Sequence, residues 1–258
     1  MGPLKIISTG GSVKKINTSE NLMLYPNPKN WKELEKFTHD LFTEIDCDCS
    51  LNERIKTARG FVNVDVLVRD HVSSPSLTYL CECKYWNKRI SKDIIHAFRT
   101  VVLDYGANRG YIISKMGFQK GAVTAVKNSN IVLLTWQELQ DMFEKRWIES
   151  KRKHLMDVIY EINNILSGKY PRRNIKKEIN IRRHLLGLLR KFAVLFASGG
   201  CMCMDDMENI RRRFPFKTKV QNPYYKKSKK VTIKSFRDYF DTFLPFAESI
   251  LEEVKRYA

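Results

Sequence analysis

The sequence lacks any apolar run long enough to cross a membrane. The longest such run, residues 185–197, is interrupted by Arg190 and Lys191. The first residues, MGPLKIISTGGSVKK, also lack the long apolar core of a secretory signal peptide. These two absences disfavour a membrane protein and a secreted protein, and they predict a soluble, cytoplasmic protein with no membrane partner.

The cysteine spacing that is typical of zinc sites is also missing. The six cysteines form three Cys-x-Cys pairs, at 47/49, 81/83 and 201/203, whereas structural zinc sites usually place two to four residues between paired cysteines. Two ligands one residue apart can share a strand face, so this spacing leaves zinc open. A secreted disulfide framework is disfavoured in a chain of this length. We expect reduced, mostly buried cysteines.

Acidic residues are scarce, above all in the C-terminal part of the chain. The formal net charge is +18, and residues 151–258 hold 25 Lys+Arg against 11 Asp+Glu, a net of +14. Such an excess predicts a polyanionic partner, either nucleic acid or an acidic membrane surface. An acidic partner protein and simple solubility are the competing explanations. Because 43% of the residues are hydrophobic, the chain can bury a core, which disfavours wholesale disorder.

Hydrophobic periodicity predicts an α/β domain. Asn30 is a candidate N-cap for a helix with apolar residues at Trp31, Leu34, Phe37, Leu41, Phe42 and Ile45. After this helix the pattern predicts, in order, a strand within 47–57, strands at 61–70 and 77–86 that form a hairpin, a helix at 91–106 ended by Gly106, a strand at 109–116, a helix at 118–129, a strand at 130–136 and a helix at 137–150 with Thr135 as N-cap. This order is typical of a mixed sheet flanked by helices.

Beyond residue 150 the pattern turns helical. It predicts an amphipathic helix marked by Leu155, Ile159, Ile162 and Leu166, a second helix at about 179–197, an irregular basic stretch at 201–230, and a last helix at about 233–257 that is bent or interrupted at Pro245. The predicted organisation is an N-terminal arm at 1–30, an α/β domain at 31–147 and a basic α-helical region at 148–258.

Charged side chains interrupt two of the predicted strands. In the stretch YLCECKYW, strand alternation places Glu82 and Lys84 on one face and Cys81 and Cys83 on the other. Asp65 lies in the middle of FVNVDVLVRD. If these two strands pair, Asp65 can face Glu82 across the ladder.

Two carboxylates that face each other in an apolar sheet repel, and burial adds to the cost. Lys84 supplies one positive charge, which leaves a negative surplus that a divalent cation would neutralise. Carboxylate oxygens suit Mg²⁺ or Mn²⁺. A hard cation with a lysine beside it is the combination that phosphodiester hydrolysis requires. A structural ion pair between Glu82 and Lys84 is the competing interpretation.

On these residues the sequence resembles the PD-(D/E)XK nuclease superfamily and, within it, the Mrr-like restriction endonucleases. Asp65 matches the acid of the second core strand, Glu82-Cys83-Lys84 matches the (D/E)-x-K motif, and Glu35 in LEKFTHDLF matches an acid of the first helix. Glu33 competes with Glu35 for that position. The resemblance covers about residues 31–145. Valines bracket Asp65 where the family often has glycines, and Glu82 stands where Mrr-like proteins often carry Gln.

The resemblance implies a restriction-endonuclease-like fold and a DNA endonuclease of prokaryotic defence that depends on Mg²⁺, or alternatively on Mn²⁺. It implies that Asp65, Glu82 and the Cys83 carbonyl bind the metal, that Lys84 acts on the nucleophilic water, and that Glu35 positions Lys84 or a second metal. We expect residues 148–258 to bind DNA or to assemble a homo-oligomer, because cutting both strands needs two sites. A structure-selective junction resolvase and a non-catalytic nucleic-acid-binding subunit are the alternatives.

Overall fold

The computed structural model of the protein describes residues 23–166, 214–221 and 228–257. In these segments the chain forms five helices and seven strands. They are α1 (Trp31–Thr43), β1 (Asp48–Thr57), β2 (Gly60–Asp70), β3 (Leu77–Lys84), α2 (Lys92–Tyr105), β4 (Arg109–Ser114), α3 (Lys120–Ala125), β5 (Ile131–Thr135), α4 (Trp136–Leu166), β6 (Phe216–Gln221), β7 (Ser228–Ile233) and α5 (Phe236–Tyr257). Within these segments no helix combines the length and the apolar character of a membrane span.

The first five strands form one mixed sheet in the order β1-β2-β3-β4-β5. Strands β1, β2 and β3 pair antiparallel, whereas β3, β4 and β5 pair parallel. Helices cover both faces, so the apolar side chains form two cores, one with α1, α4 and α5 and the other with α2 and α3. The predicted mixed sheet flanked by helices is confirmed, as is the hairpin of β2 and β3.

Helix α1 begins where the sequence predicts. The Asn30 side chain accepts a hydrogen bond from the Glu33 N–H at 2.9 Å, which satisfies one of the free donors of the first turn. Leu34, Leu41 and Phe42 are fully buried, as their helical spacing predicts. Trp31, which shares that spacing, is instead 52% exposed.

Helix α4 corrects the predicted organisation of the chain. The sequence predicts two helices, at 137–150 and around 155–166, but the structure has one helix over Trp136–Leu166. Thr135 and Glu138 form a reciprocal cap at its start, with the Thr135 N–H donating to Glu138 at 2.7 Å. The boundary proposed at 147/148 therefore falls within a continuous helix, and the division into domains stays a prediction.

The last described segments also differ from expectation. Strands β6 and β7 pair antiparallel, with Phe216 opposite Ile233, whereas the sequence predicts an irregular stretch at 201–230 and a helix from about 233. Helix α5 continues through Pro245 without interruption. Its Phe240 contacts Trp147 of α4, with ring centroids 5.6 Å apart. Helix α5 thus packs into the same core as α1 and α4.

Several sequence predictions lie outside the described residues. They are most of the N-terminal arm, the helix at 179–197, the pair Cys201–Cys203 and most of the basic clusters beyond residue 167. The described end of the arm packs into the core through Leu24 and Tyr25, which are 3% and 8% exposed. The Tyr25 N–H donates to Gln140 at 2.7 Å. This end of the arm is therefore part of the folded domain.

A charged cluster around Glu44 joins α5 to the rest of the fold. Arg237 of α5 donates to both oxygens of Glu44, at 3.0 and 2.6 Å, and Trp147 donates to Oε2 at 2.7 Å. Tyr25 donates to the same carboxylate, and Lys151 lies 3.2 Å from Oε1. Burial alone would raise the pKa of Glu44, but the hydrogen bonds from Arg237 and Tyr25 outweigh it and hold the pKa at about 2.

We predict that Glu44→Gln lowers the free energy of unfolding by about 2 kcal/mol at pH 7, because it removes the carboxylate charge that accepts two hydrogen bonds from Arg237. Urea unfolding measures the difference. Glu149→Gln, which removes an exposed carboxylate 4.0 Å from Lys145, is the control and should change stability by less than about 0.5 kcal/mol.

The difference between wild type and Glu44→Gln should depend on pH. Because folding lowers the pKa of Glu44, its contribution is complete above the ordinary value of 4.5 and is lost as the pH falls towards about 2. A difference that stays constant between pH 6 and pH 2.5 would contradict this account.

Candidate active site

Strand β3 separates its cysteines from its charged residues. Cys81 and Cys83 are 0% and 6% exposed and belong to the core beneath α1. Glu82 and Lys84 are partly exposed, with 21% and 17% of their side chains accessible, and the Lys84 ammonium forms an ion pair with Glu82. The predicted alternation along this strand is confirmed.

The cysteines are poor candidates for metal ligands. Burial raises the pKa of the Cys81 and Cys83 thiols well above the ordinary value, and a zinc ligand must be a thiolate. The Cys83 thiol contacts Thr38 Oγ1 at 3.6 Å within the core. Cys47 and Cys49, like the other two, are free cysteines. In residues 23–166 the cysteines are therefore packing residues, as expected from the sequence, and the chemistry of β3 rests on Glu82 and Lys84.

Asp65 of β2 lies beside this pair. The β2–β3 register ends with Val66 opposite Cys81, which puts Asp65 opposite Glu82 at the next position. The Asp65 carboxylate accepts a hydrogen bond from the Cys83 N–H at 2.7 Å. The Asp65 side chain of β2 therefore bonds to a backbone N–H of β3 at the point where regular pairing of the two strands ends. This hydrogen bond holds Asp65 at the edge of the ladder.

The ladder between β1 and β2 is also irregular at Asp65. The register skips the pair of Asn52 and Asp65, and Asn52 adopts a left-handed φ of 51°, a conformation in which Asn is enriched. Val64 packs in the core beneath α2, whereas Val66 packs in the core beneath α1. Strict alternation would place these two valines on one face. The backbone is therefore distorted at the residue that carries the carboxylate.

Glu35 of α1 completes the group. It is 7% exposed, and its charge interacts with Asp65, Glu82 and Lys84. Its side chain also hydrogen-bonds to Asn52. Glu33, the competing residue, instead accepts a hydrogen bond from the Lys29 N–H at 2.8 Å at the start of the helix. The structure thus brings Glu35, rather than Glu33, to the other three predicted site residues.

The three carboxyl groups share one electrostatic feature, which is a raised pKa. Burial is the largest cause for each of them. The pKa of Glu82 is raised further by the charge of Asp65, and the pKa of Glu35 by the charges of Asp65 and Glu82. The Cys83 N–H and Lys84 only partly offset burial at Asp65, so its pKa is also raised. Three ionised carboxylates against one ammonium would leave a negative surplus in a poorly solvated site.

These residues fit a hard divalent cation. A positive ion would compensate the repulsion among the carboxylates, and oxygen ligands are what Mg²⁺ and Mn²⁺ prefer. Within residues 23–166, 214–221 and 228–257 no three His, Cys, Asp or Glu side chains form a ready-made metal cluster. Mg²⁺ is commonly bound by only one or two carboxylates and keeps several waters. Asp65 and Glu82 satisfy that requirement.

Sequence reasoning missed one residue of this site. Asn52 connects to Glu35 by a hydrogen bond that lowers the pKa of that carboxyl against the effect of burial. The signal in the sequence was weak, because Asn followed by Glu53 and Arg54 reads as an ordinary polar stretch of an edge strand. Its left-handed φ and its hydrogen bond to Glu35 of α1 show that Asn52 belongs to the site.

Residues 29–143 match the family model of the Mrr catalytic domain, whose description is restriction endonuclease. This match covers less than half of the chain and includes Glu35, Asp65, Glu82 and Lys84. No curated protein sequence matches the chain.

Two solved structures are similar at a low level. A protein of unknown function, AF1548, has 17% identity and a TM-score of 0.37, and the match covers 52% of this chain and 81% of that one. The DNA modification-dependent restriction endonuclease AspBHI has 13% identity and a TM-score of 0.30, with 55% of this chain and 40% of that chain covered. Neither similarity is high enough to support a functional comparison. The family match therefore relates residues 29–143 to the restriction endonucleases of the Mrr catalytic domain family.

Proposed function

We propose that this protein is a divalent-metal-dependent DNA endonuclease that hydrolyses phosphodiester bonds, with Asp65, Glu82, Lys84 and Glu35 as its active site. The observation that carries the proposal is the convergence of three buried or half-buried carboxylates on one lysine. The family match of residues 29–143 supports DNA as the substrate. A role in defence against foreign DNA follows the same family and is part of the proposal.

Asp65 and Glu82 would hold Mg²⁺ or Mn²⁺, together with the backbone carbonyl of Cys83. When bound, the cation supplies a Lewis acid for the phosphate oxygens and lowers the pKa of a bound water. The Cys83 N–H donates a hydrogen bond of 2.7 Å to the Asp65 carboxylate, so this ligand is oriented before the metal binds. Such pre-organisation reduces the entropy lost on binding.

Lys84 acts on the reacting groups. Its ammonium lies beside Glu82 and is 17% exposed, so it can reach a phosphate while staying partly shielded from water. It orients the attacking water and stabilises the negative charge that develops on the phosphate oxygens. The water oxygen adds to phosphorus, a bridging P–O bond breaks, and the products are a phosphate monoester and a hydroxyl group.

Glu35 acts through Lys84 or a second cation. It is held by Asn52 and interacts electrostatically with Lys84, so it can restrain the ammonium from the side of α1. The DNA-binding or oligomerising role of residues 148–258, and the homo-oligomer that double-strand cutting requires, are further parts of this proposal.

We predict that the wild type cuts DNA with Mg²⁺ and not with EDTA, and that Asp65→Asn or Lys84→Ala lowers the cleavage rate about 100-fold or more. Gel assays on plasmid, linear, single-stranded and junction DNA measure the rates. Lys145→Ala removes the same charge from an exposed position and should retain activity.

The outcomes separate the alternatives. Cleavage confined to junction DNA would identify a junction resolvase. Tight DNA binding without cleavage in Mg²⁺ or Mn²⁺ would identify a non-catalytic subunit. Cleavage that survives both Asp65→Asn and Lys84→Ala would overturn the assignment of these residues.

Metal binding should also change the thermal stability of the protein. Because folding raises the pKa of Asp65, its ionised form costs stability at pH 7, and Asp65→Asn should stabilise the metal-free protein. Added Mg²⁺ should raise the Tm of the wild type but not of Asp65→Asn, since only the wild type binds the ion in its folded state.

Thermal unfolding in EDTA and in Mg²⁺ measures both effects. Glu149→Gln is the matched control, because it neutralises an exposed carboxylate and should respond to Mg²⁺ as the wild type does. An equal response of wild type and Asp65→Asn to Mg²⁺ would argue against a metal at Asp65.

A further inference from the structure

Two hydrogen-bonded loops form a surface next to Lys84, where the parallel strands β3 and β4 end. The loops that follow these strands are joined by hydrogen bonds. The Ile90 N–H donates to Gly117 at 3.1 Å, the Gln119 N–H donates to Ile90 at 3.0 Å, and the Lys115 N–H donates to the Lys84 carbonyl at 3.1 Å. Residues 85–90 and 115–119 therefore form one preorganised unit, the Trp86 platform.

Trp86 is the exposed aromatic residue of this platform. It is 39% exposed and belongs to neither core, unlike Tyr85, which packs against the core beneath α1. The Lys84 and Lys88 ammonium groups lie 5.4 and 5.5 Å from its ring centroid. Core packing, the common role of a tryptophan, does not account for an indole that is open to solvent between two lysines.

Positive charge surrounds the indole. The Lys115 ammonium lies 4.3 Å from the Tyr85 ring centroid and donates to Asn87 at 2.8 Å. The sequence has no Asp or Glu from 83 to 92 or from 113 to 122, whereas five basic residues of these two stretches are exposed, namely Lys88, Arg89, Lys92, Lys115 and Lys120. The charge of this surface complements a polyanion.

We propose that the Trp86 platform binds an unpaired nucleotide of the DNA, with the base stacked on the indole of Trp86 and its phosphates beside Lys88 and Lys115. This inference rests on the proposed nuclease function and specifies the substrate. An indole face stacks on a base only where that base is exposed, in a single strand, at a frayed end or outside the helix. Because Lys84 contacts both Glu82 and the Trp86 ring, the stacked base adjoins the phosphate to be cut.

The platform also supplies the positive charge that attracts DNA to the acidic site. Three carboxylates repel the DNA backbone, so a nearby group must supply the attraction. A basic surface with an aromatic face does so without reading sequence, since every base has a face that stacks. The platform therefore favours capture of any unpaired nucleotide rather than of one particular base.

The test is binding of a fluorescein-labelled oligothymidylate in EDTA, measured by fluorescence anisotropy with the full chain. Trp86→Ala should weaken binding about tenfold or more, whereas Trp86→Phe, which keeps an aromatic face, should lose less. Trp31→Ala is the matched control, because Trp31 is an indole that is 52% exposed, has the Lys32 ammonium 5.4 Å from its ring centroid, and lies outside both the platform and residues 148–258. It should bind as the wild type does.

A fully paired, blunt-ended duplex with G·C pairs at both ends, which limit fraying, supplies the second arm. The loss in Trp86→Ala should be much smaller on this duplex than on the single strand. Equal single-strand affinity of Trp86→Ala and wild type, or an equal loss on the paired duplex, would overturn the proposal. The unfolding midpoint of each variant shows whether the fold is intact, and Trp86→Phe keeps the test decisive if Trp86→Ala does not fold.

The outcome is separable from that of the proposed function. Since EDTA prevents metal-dependent cleavage, binding is measured without catalysis. If the wild type binds through Trp86 but never cuts, the nuclease proposal fails and the platform stands. If Asp65→Asn abolishes cutting while Trp86→Ala binds normally, the nuclease proposal stands and the platform fails.

Discussion

The pairing of β2 with β3 places a carboxylate of one strand opposite a carboxylate of the other, and the rest of the candidate site responds to this constraint. Asp65 and Glu82 meet at the end of the ladder, and burial raises the pKa of both. Lys84 and the Cys83 N–H each offset part of the cost. The compensation is incomplete, which is the physical reason to propose a cation at this position.

The surrounding fold holds the site from both sides. Helix α1 carries Glu35 onto the ladder from one face, and its own position is fixed by the cap at Asn30 and by the buried Leu34 and Leu41. Glu44, directly after α1, joins α4 and α5 through Trp147 and Arg237. The C-terminal helix α5 therefore contributes to the stability of the domain that carries the proposed active site.

Much of the fold could be predicted from the sequence because local signals agree with tertiary packing. Asn30 and Gly106 mark helix ends at the positions where the structure has them, and alternation in YLCECKYW separates the thiols from Glu82 and Lys84. The joining of two predicted helices into α4 was missed, because the charged segment around Lys151 and Lys153 resembles a break. The β6–β7 hairpin was missed because clustered lysines conceal strand alternation.

The site itself was predictable only in part. Asp65, Glu82 and Lys84 lie on two adjacent strands, so alternation and hairpin pairing bring them together from sequence alone. Glu35 could not be separated from Glu33 by sequence, because the choice depends on how α1 rotates over the sheet. Asn52 depends on a distorted ladder, which is a long-range feature that no local pattern reports.

The most direct test of this account is the pKa of Asp65, measured by carbon-detected NMR in the metal-free protein and again with Mg²⁺. The account predicts a pKa above the ordinary aspartate value without metal and a fall when Mg²⁺ is added. An ordinary pKa that does not respond to Mg²⁺ would contradict the claim that uncompensated carboxylates at the β2–β3 junction form a metal site.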